Sequence, residues 1–373
     1  MSEGHSQCLY CYQALGEREH DFHSSCSKKF FGTGNPVLLP FDKNDLEDLS
    51  KEVILRSSEN RYLQVKISLN IEKKAPAQAN SRFIIAGLDG RFILKPPVAA
   101  YPFLPELEDL TMHLASIAQI KTSPHSLIRL QSGELAYLSK RTDRTKKGKL
   151  AQEDMCQLNG TLTEDKYQGS MEKIGKLIHT YSSNPGLDAI SFFELTLFCF
   201  LTGNAHMHLK SFSLLRSEEN DIGLAPAYDL VATQLLFPDN KEEMALSVNG
   251  KKKNLKRSDF DSLAGKLKIN SKTLENTYKR FQKNIPGMLA FIEHSILPKE
   301  MQQSYQNLIK QKARLVLEQQ EEVSIANPQE VMLTEENEGK PSKQEFTNLI
   351  NVTTGEIIEK KPEDPRQLSL FPV

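Results

Sequence analysis

The chain has 373 residues, of which 39% are hydrophobic and 25% are charged. This length is sufficient for one large core or for two to three domains, and the composition is typical of a soluble globular protein. With 47 Lys and Arg residues against 48 Asp and Glu residues, the net charge of −1 favours neither nucleic acid nor a membrane surface as a partner.

Cysteine content and hydropathy predict a cytoplasmic protein. The five cysteines are an odd number, which argues against a disulfide framework and for a reducing compartment. No apolar run reaches the roughly 18–20 residues of a bilayer-spanning helix. The N-terminus also lacks the basic and apolar regions of a secretory signal.

The first segment carries residue types that bind metal ions. Cys8 and Cys11 come from "CLYC", and His23 and Cys26 come from "HSSC". Thiolates and a neutral imidazole at this spacing suit a tetrahedral structural zinc site, because each short pair supplies two ligands from one turn. His20 is an alternative fourth ligand, and chance proximity of the cysteines is the alternative to a metal site. We favour zinc, because a short segment with little apolar content needs a staple to become ordered.

The next part of the chain predicts strands and one helix. The string "RFIIAGLDGRFILKPP" has two β-rich runs around Leu-Asp-Gly, which predicts a hairpin. "LPELEDLTMHLASIAQI" has apolar residues at helical spacing after a proline in the first turn. "GELAYLSKRTDR" then returns to a strand pattern.

The second half predicts helices around a short β-section. "SMEKIGKLIHTYSS" and "AISFFELTLFCFLTG" have strong apolar faces, and further helices are expected around 273–317. The β-section is "FSLLRSEENDIGLAPAYDL", and the acidic, Pro-punctuated segment after it predicts disorder. A β-rich part followed by a helical part gives an α+β class with the layout of a bilobal protein kinase. The predicted domains are a zinc-binding element at 1–35, a β-rich ATP-binding lobe at 36–150, a helical lobe at 151–317 and a disordered acidic tail at 318–373.

Three residues have positions typical of a nucleotide site. Lys95 ends a predicted strand and Glu108 lies in the next helix, as in kinases, where a strand lysine contacts phosphates and a helix glutamate holds it. The alternative is a surface lysine. Asp229 follows an apolar strand, which suits a magnesium-binding carboxylate. Capping of a helix explains Asp229 equally well.

A polar loop lies between a predicted helix and a predicted strand in "FCFLTGNAHMHLKSFSLL". It brings together His206, His208 and Lys210, as a catalytic loop would. It contains no carboxylate.

Taken in order, several strings resemble the HipA family of bacterial serine/threonine kinase toxins. The resemblance covers about 50 to 315 and is carried by "RFILKPP", "LPELEDLTMHLA", "AYLSKRTDR", "EDMCQL", "KYQGSMEKI", "LTGNAHMHLKSFSLL" and "LAPAYDL". The chain is most similar to the short, three-component HipT type, in which a small HipS-like partner supplies an N-terminal subdomain.

This resemblance implies an ATP- and Mg²⁺-dependent kinase of a protein target, restrained by a HipB-like helix-turn-helix antitoxin. DNA would be contacted only indirectly, and no membrane is involved. Lys95 matches the phosphate-binding lysine and Glu108 its helix partner. Lys140 to Asp143 match the hinge, and Asp229 matches the metal-binding aspartate. In the phosphate loop, which reads "YLQVKISL" here, Gln64 and Lys66 are retained.

Departures from the family pattern predict impaired catalysis. The family catalytic loop reads Gly-Asn-x-Asp-x-His-x-Lys-Asn, and here His206 replaces its aspartate while Ser211 replaces the last asparagine. A neutral imidazole supplies no negative charge to orient the attacking hydroxyl, and a serine hydroxyl is a shorter, weaker metal ligand than an amide oxygen. Tyr62 stands where the phosphate loop has glycine. The alternatives are a pseudokinase that serves as a binding module and an active kinase with His206 as base.

The C-terminal string "QLSLF" resembles, independently, the pentapeptide by which bacterial proteins bind the DNA polymerase sliding clamp. Leu370 and Phe371 would enter an apolar pocket, Gln367 would hydrogen-bond at its rim, and Leu368 completes the motif. Docking on the protein's own surface or a chance match in five residues are the alternatives.

Overall fold

The computed structural model describes residues 7–35, 37–46, 48–49, 65–72 and 81–318. In the first half of the chain, five strands pair into an antiparallel sheet. The spatial order is β2-β1-β3-β5-β4. Tyr62, Gln64 and the tail motif lie outside the described residues. The strands are β1 (Ile67–Glu72), β2 (Arg82–Ile85), β3 (Phe92–Lys95), β4 (His125–Arg129) and β5 (Leu135–Lys140).

The hairpin predicted between the two β-rich runs is wrong. β1 lies between β2 and β3, and Leu69 of β1 pairs with both Ile85 and Phe92. The connection instead passes over β1, and a Cβ atom at Gly90 would lie 2.8 Å from the Leu69 amide nitrogen. The glycine therefore serves a close backbone approach, which a local turn signal cannot distinguish from a hairpin.

The remaining strands and the helices follow the predicted order. α1 covers Ser24–Phe31, and α2 covers Leu104–Ile117 with proline in its first turn, as predicted. A three-stranded antiparallel sheet has the order β6-β7-β8 and includes the β-section predicted within the helical half. The other elements are β6 (Gln152–Asp154), α3 (Met155–Asn159), α4 (Met171–Tyr181), α5 (Pro185–Leu201), β7 (Ser213–Arg216), β8 (Ile222–Leu224), α6 (Thr233–Leu236), α7 (Arg257–Lys266), α8 (Ser271–Glu293) and α9 (Lys299–Val316).

Burial explains how these elements hold together. α5 carries ten buried residues and lies at the centre of the larger hydrophobic core, which also receives the inner face of α2. A smaller core lies under the five-stranded sheet and contains Phe30 of α1. The α+β class with an antiparallel sheet and a helical lobe is thus confirmed. Among the described helices, none is both long and apolar enough to cross a membrane.

The N-terminal turn, residues 8–12, lies along β4, the edge strand of the first sheet. The Leu9 carbonyl accepts hydrogen bonds from the Leu127 amide (3.2 Å) and the Ser126 hydroxyl (3.1 Å) of the edge strand β4. Leu9 and Tyr12 are buried in the larger core. Backbone pairing of this kind satisfies groups that an open edge would leave exposed.

Candidate functional site

Lys95 is the centre of a buried ion cluster. It is the last residue of β3, and its ammonium hydrogen-bonds Glu108 of α2 and, at 2.5 Å, the Oδ1 atom of Asp229. Burial alone would lower the pKa of Lys95, but the Asp229 and Glu108 carboxylates outweigh it and raise that pKa. Lys95 therefore stays charged, and the strand–helix pair predicted from the sequence is formed.

The two carboxylates around Lys95 respond differently to their surroundings. Burial is the largest influence on Glu108 and raises its pKa to about 7 despite the neighbouring Lys95. Burial also opposes ionisation of Asp229, but Lys66 and Lys95 outweigh it and hold that pKa well below its usual range. Asp229 has a φ of 59°, a left-handed conformation uncommon for residues other than glycine.

Lys66 is the second cation on Asp229. Its ammonium lies 2.5 Å from Oδ2, so that each oxygen of the Asp229 carboxylate has its own ammonium partner. The Lys66 side chain is 45% exposed and is reachable from solvent, whereas Lys95 is buried.

A cleft of about 180 Å³ opens onto these residues. Four cationic side chains against two anionic ones line it, which favours an anionic ligand. Glu108 lies behind Lys95, outside this lining. The charged lining residues are Lys66, Lys95, Lys140, Arg141, Asp143 and Asp229.

The predicted hinge residues line the cleft, but their charges are already engaged by the protein. Asp143 accepts two hydrogen bonds from Arg141 (2.9 and 2.8 Å) and another from Arg144. The ammonium of Lys140 lies 5.2 Å from the ring centroid of Phe30. Burial lowers the pKa of Lys140.

The histidines of the predicted catalytic loop lie against hydroxyl groups. Nδ1 of His206 is 3.2 Å from the Tyr167 hydroxyl, and Nδ1 of His208 is 3.1 Å from the Ser211 hydroxyl. Burial lowers the pKa of His206 to about 4 and that of His208 to about 3. Both rings are therefore neutral at pH 7. Sequence reasoning missed Tyr167, which lies in the matched string "KYQGSMEKI" without a signal of its own.

Lys210 anchors this loop to a neighbouring helix. Its ammonium lies 3.0 Å from Oδ2 of Asp154. The other oxygen of Asp154 accepts a hydrogen bond from the Gln157 amide and caps α3. In this structure Lys210 thus has a positioning contact.

The polar groups of this site fit a phosphate-bearing ligand but do not fit the magnesium ion that the family resemblance implies. Mg²⁺ requires oxygen ligands in near-octahedral geometry. Both oxygens of Asp229 carry ammonium partners, and the Ser211 hydroxyl contacts His208. No cluster of three or more metal-binding side chains in the described part of the chain includes Asp229.

The Cys3His group, formed by Cys8, Cys11, His23 and Cys26, is a candidate metal centre. Its ligand atoms all lie within 4.8 Å of one another. Nδ1 of His23 is 3.4 Å from the Cys11 sulfur, while Nε2 lies 2.9 Å from the Ala14 carbonyl oxygen. When Nε2 donates a hydrogen bond to the Ala14 carbonyl, Nδ1 carries no proton and can bind a metal ion.

Sequence reasoning missed a buried polar cluster that joins this turn to α2. Asp109, next to Glu108, accepts a 2.8 Å hydrogen bond from the Tyr12 hydroxyl. Nδ1 of His125 lies 2.7 Å from the other oxygen, Oδ1. Nε2 of His113 lies 3.3 Å from Oδ2, the oxygen that Tyr12 also contacts. The helical i,i+4 spacing of Asp109 and His113 was visible in the sequence, but the remote partners were not.

Known proteins are similar to parts of this sequence. Residues 63–289 match the family model described as "HipA-like C-terminal domain". "Putative kinase Y4dM" of Sinorhizobium fredii is 30% identical over 54% of this chain and 54% of that protein. "Putative kinase Y4mE" of the same organism is 30% identical over 48% of this chain and 43% of that protein. The chain therefore spans about half the length of these relatives.

A solved structure extends the comparison to the fold. HipA in a complex from Shewanella oneidensis MR-1 with HipB and operator DNA matches with a TM-score of 0.58 and 16% identity. The match covers 72% of this chain and 71% of that chain.

Proposed function

Because the chain belongs to the family described as the HipA-like C-terminal domain, we propose that it is a toxin–antitoxin protein on a serine/threonine kinase scaffold that binds ATP and is impaired in phosphoryl transfer. One observation carries this proposal. His206, which the family resemblance aligns with the catalytic carboxylate, is a neutral ring whose Nδ1 atom lies 3.2 Å from the Tyr167 hydroxyl.

The charges of the site support binding more than transfer. Lys66 and Lys95 offer ammonium groups to phosphate oxygens in a cleft whose charged lining is mostly cationic. A kinase also needs a carboxylate to orient the attacking hydroxyl and metal ions to neutralise the developing charge. His206 supplies no negative charge, and Asp229 is already neutralised by two lysines.

A transfer assay tests the impairment. The natural chain and His206→Asp/Ser211→Asn are incubated with γ-labelled ATP and Mg²⁺, and labelled protein is measured. We expect no detectable transfer by the natural chain and measurable transfer by the double variant, because the variant regains the carboxylate and the amide oxygen. Measurable transfer by the natural chain would contradict the proposal and support His206 as a base.

The partner proposed for this protein is a HipB-like helix-turn-helix antitoxin. The Shewanella HipA structure contains HipB and operator DNA, and a small HipS-like protein is a further proposed partner. Co-expression with a helix-turn-helix protein encoded next to this chain should give one complex on size-exclusion chromatography. Separate elution of the two proteins would remove the partner proposal.

A second candidate function is that of a binding module tethered to the DNA polymerase sliding clamp. It is favoured by the string "QLSLF", which includes Gln367, Leu368, Leu370 and Phe371. Clamp binding by the natural chain should be lost in Leu370→Ala/Phe371→Ala. Absence of clamp binding by the natural chain would eliminate this function.

We also propose that the Cys3His group holds a structural zinc ion. Three thiolates and one imidazole match the soft, tetrahedral ligand set that zinc takes in closed structural sites. His20, the alternative ligand, is not part of the group. The ion would tie the Cys8–Cys11 turn to the start of α1.

A further inference from the structure

The misfit between Asp229 and a divalent metal points to a different source of positive charge. Asp229 holds one ammonium on each oxygen, from Lys66 at 2.5 Å and from Lys95 at 2.5 Å. Lys95 forms a second ion pair, with Glu108. Lys66 forms its ion pair with Asp229. The charge of Asp229 is therefore balanced within the chain.

Strand pairing fixes the two lysines side by side. β1 and β3 are antiparallel, with Ile67 opposite Leu94. The next step in that register places Lys66 opposite Lys95, and both ammonium groups reach Asp229 from the same edge. Lys66 therefore owes its position to the backbone of the sheet as well as to its side chain.

An uncompensated Asp229 would repel phosphates, so a cation is needed there for nucleotide to enter. In kinases that cation is a metal ion that bridges the aspartate and the phosphate oxygens. Here the Lys66 ammonium lies 2.5 Å from the Asp229 oxygen, and the Lys66 side chain is 45% exposed and lines the cleft. An ammonium has three donors, so it can bond the carboxylate and a phosphate oxygen together.

We infer that Lys66 is a tethered cation that takes the place of the divalent metal at Asp229, so that this site binds nucleoside triphosphate without Mg²⁺. The inference rests on the proposed nucleotide binding and specifies its form. A site that needs no metal ion also needs no free oxygen ligands at the family's two metal-binding positions, Asp229 and Ser211. Ser211, at the asparagine position, is committed to His208.

Equilibrium titration with ATP, in EDTA and in MgCl₂, tests this inference. The natural chain is compared with Lys66→Gln, which keeps a polar side chain but loses the charge, and with the control Lys252→Gln. Lys252 is a partly exposed lysine paired with Glu242, away from the cleft lining. Thermal melts verify that each variant is folded.

The natural chain and the control should bind ATP in EDTA within about twofold of their affinity in Mg²⁺. Lys66→Gln should lose about tenfold in affinity in EDTA, equivalent to one charge-assisted hydrogen bond, and recover part of it in Mg²⁺. Binding by the natural chain only in Mg²⁺, or unchanged binding by Lys66→Gln in EDTA, would overturn the inference and leave nucleotide binding intact. No binding in either condition would overturn the proposed nucleotide function itself.

Discussion

His206 and His208 lie in one loop, and each has a hydroxyl within hydrogen-bond distance of its Nδ1 atom. Their low pKa values arise mainly from burial, which disfavours the charged form of a histidine. At neutral pH the two histidines therefore contribute dipoles rather than charge. This is the physical difference from a loop in which a carboxylate orients the substrate hydroxyl.

Burial of His208 predicts acid sensitivity. Its folded-state pKa of about 3 lies below the ordinary value of about 6.5, so between these values the unfolded chain binds a proton that the folded chain does not. The stability that His208 contributes is fully present above about pH 6.5 and is lost as the pH falls toward 3. Acidification from pH 7 to pH 5 should cost about 2 kcal/mol through this residue.

Urea unfolding of the natural chain and His208→Gln at both pH values measures this effect. The free energy of unfolding of the variant should fall less on acidification, because glutamine does not titrate. Gln303→Asn, a change between two side chains that do not titrate on the exposed surface of α9, is the control and should follow the natural chain. An equal fall in the natural chain and His208→Gln would contradict the prediction.

At the scale of elements, the N-terminal turn and α2 form one supported unit. Cys8 and Cys11 of the Cys3His group lie in the turn that leads to Tyr12, and the Tyr12 hydroxyl donates a hydrogen bond to Asp109 of α2. Glu108, the adjacent residue, holds Lys95 in the cleft. A continuous set of contacts thus runs from the candidate metal centre to the cleft that contains Lys95.

Loss of the metal should therefore destabilise the described unit. Mass spectrometry of the natural chain should find about one zinc per chain, and Cys26→Ser should lose the zinc and melt several degrees lower, because serine is a poor ligand for a soft metal site. His20→Ala should retain the metal, since His20 is not part of the group. Zinc-free natural protein, or loss of zinc in His20→Ala, would refute this ligand assignment.

The elements show where sequence reasoning succeeds and where it stops. Apolar residues at helical spacing located α2, α4 and α5 in the sequence. α4 buries a single apolar face, whereas α2 and α5 are buried on most sides, with residues 195–201 of α5 buried without interruption. The β2–β3 hairpin was wrong, because strand patterns do not encode which strand is a neighbour. The Tyr12–Asp109 bond joins residues 97 positions apart, and no local pattern reports such a contact.

At the scale of the molecule, the cleft combines residues from separate parts of the described chain. Lys66 directly precedes β1, Lys95 ends β3, and Asp229 comes from the segment after β8, while Glu108 of α2 holds Lys95 from behind the lining. Their types were readable in the sequence, and the family resemblance supplied their order. The contact of both lysines with Asp229 could not be predicted from the sequence, because it depends on how β1 and β3 pair in the sheet.

Native mass spectrometry after incubation with ATP tests the central claim, because it reports bound nucleotide and transferred phosphate together. The account predicts the natural chain with one intact ATP and no phosphorylated chain. Unliganded chain at millimolar ATP, or chain that has gained a phosphoryl group with release of ADP, would contradict it.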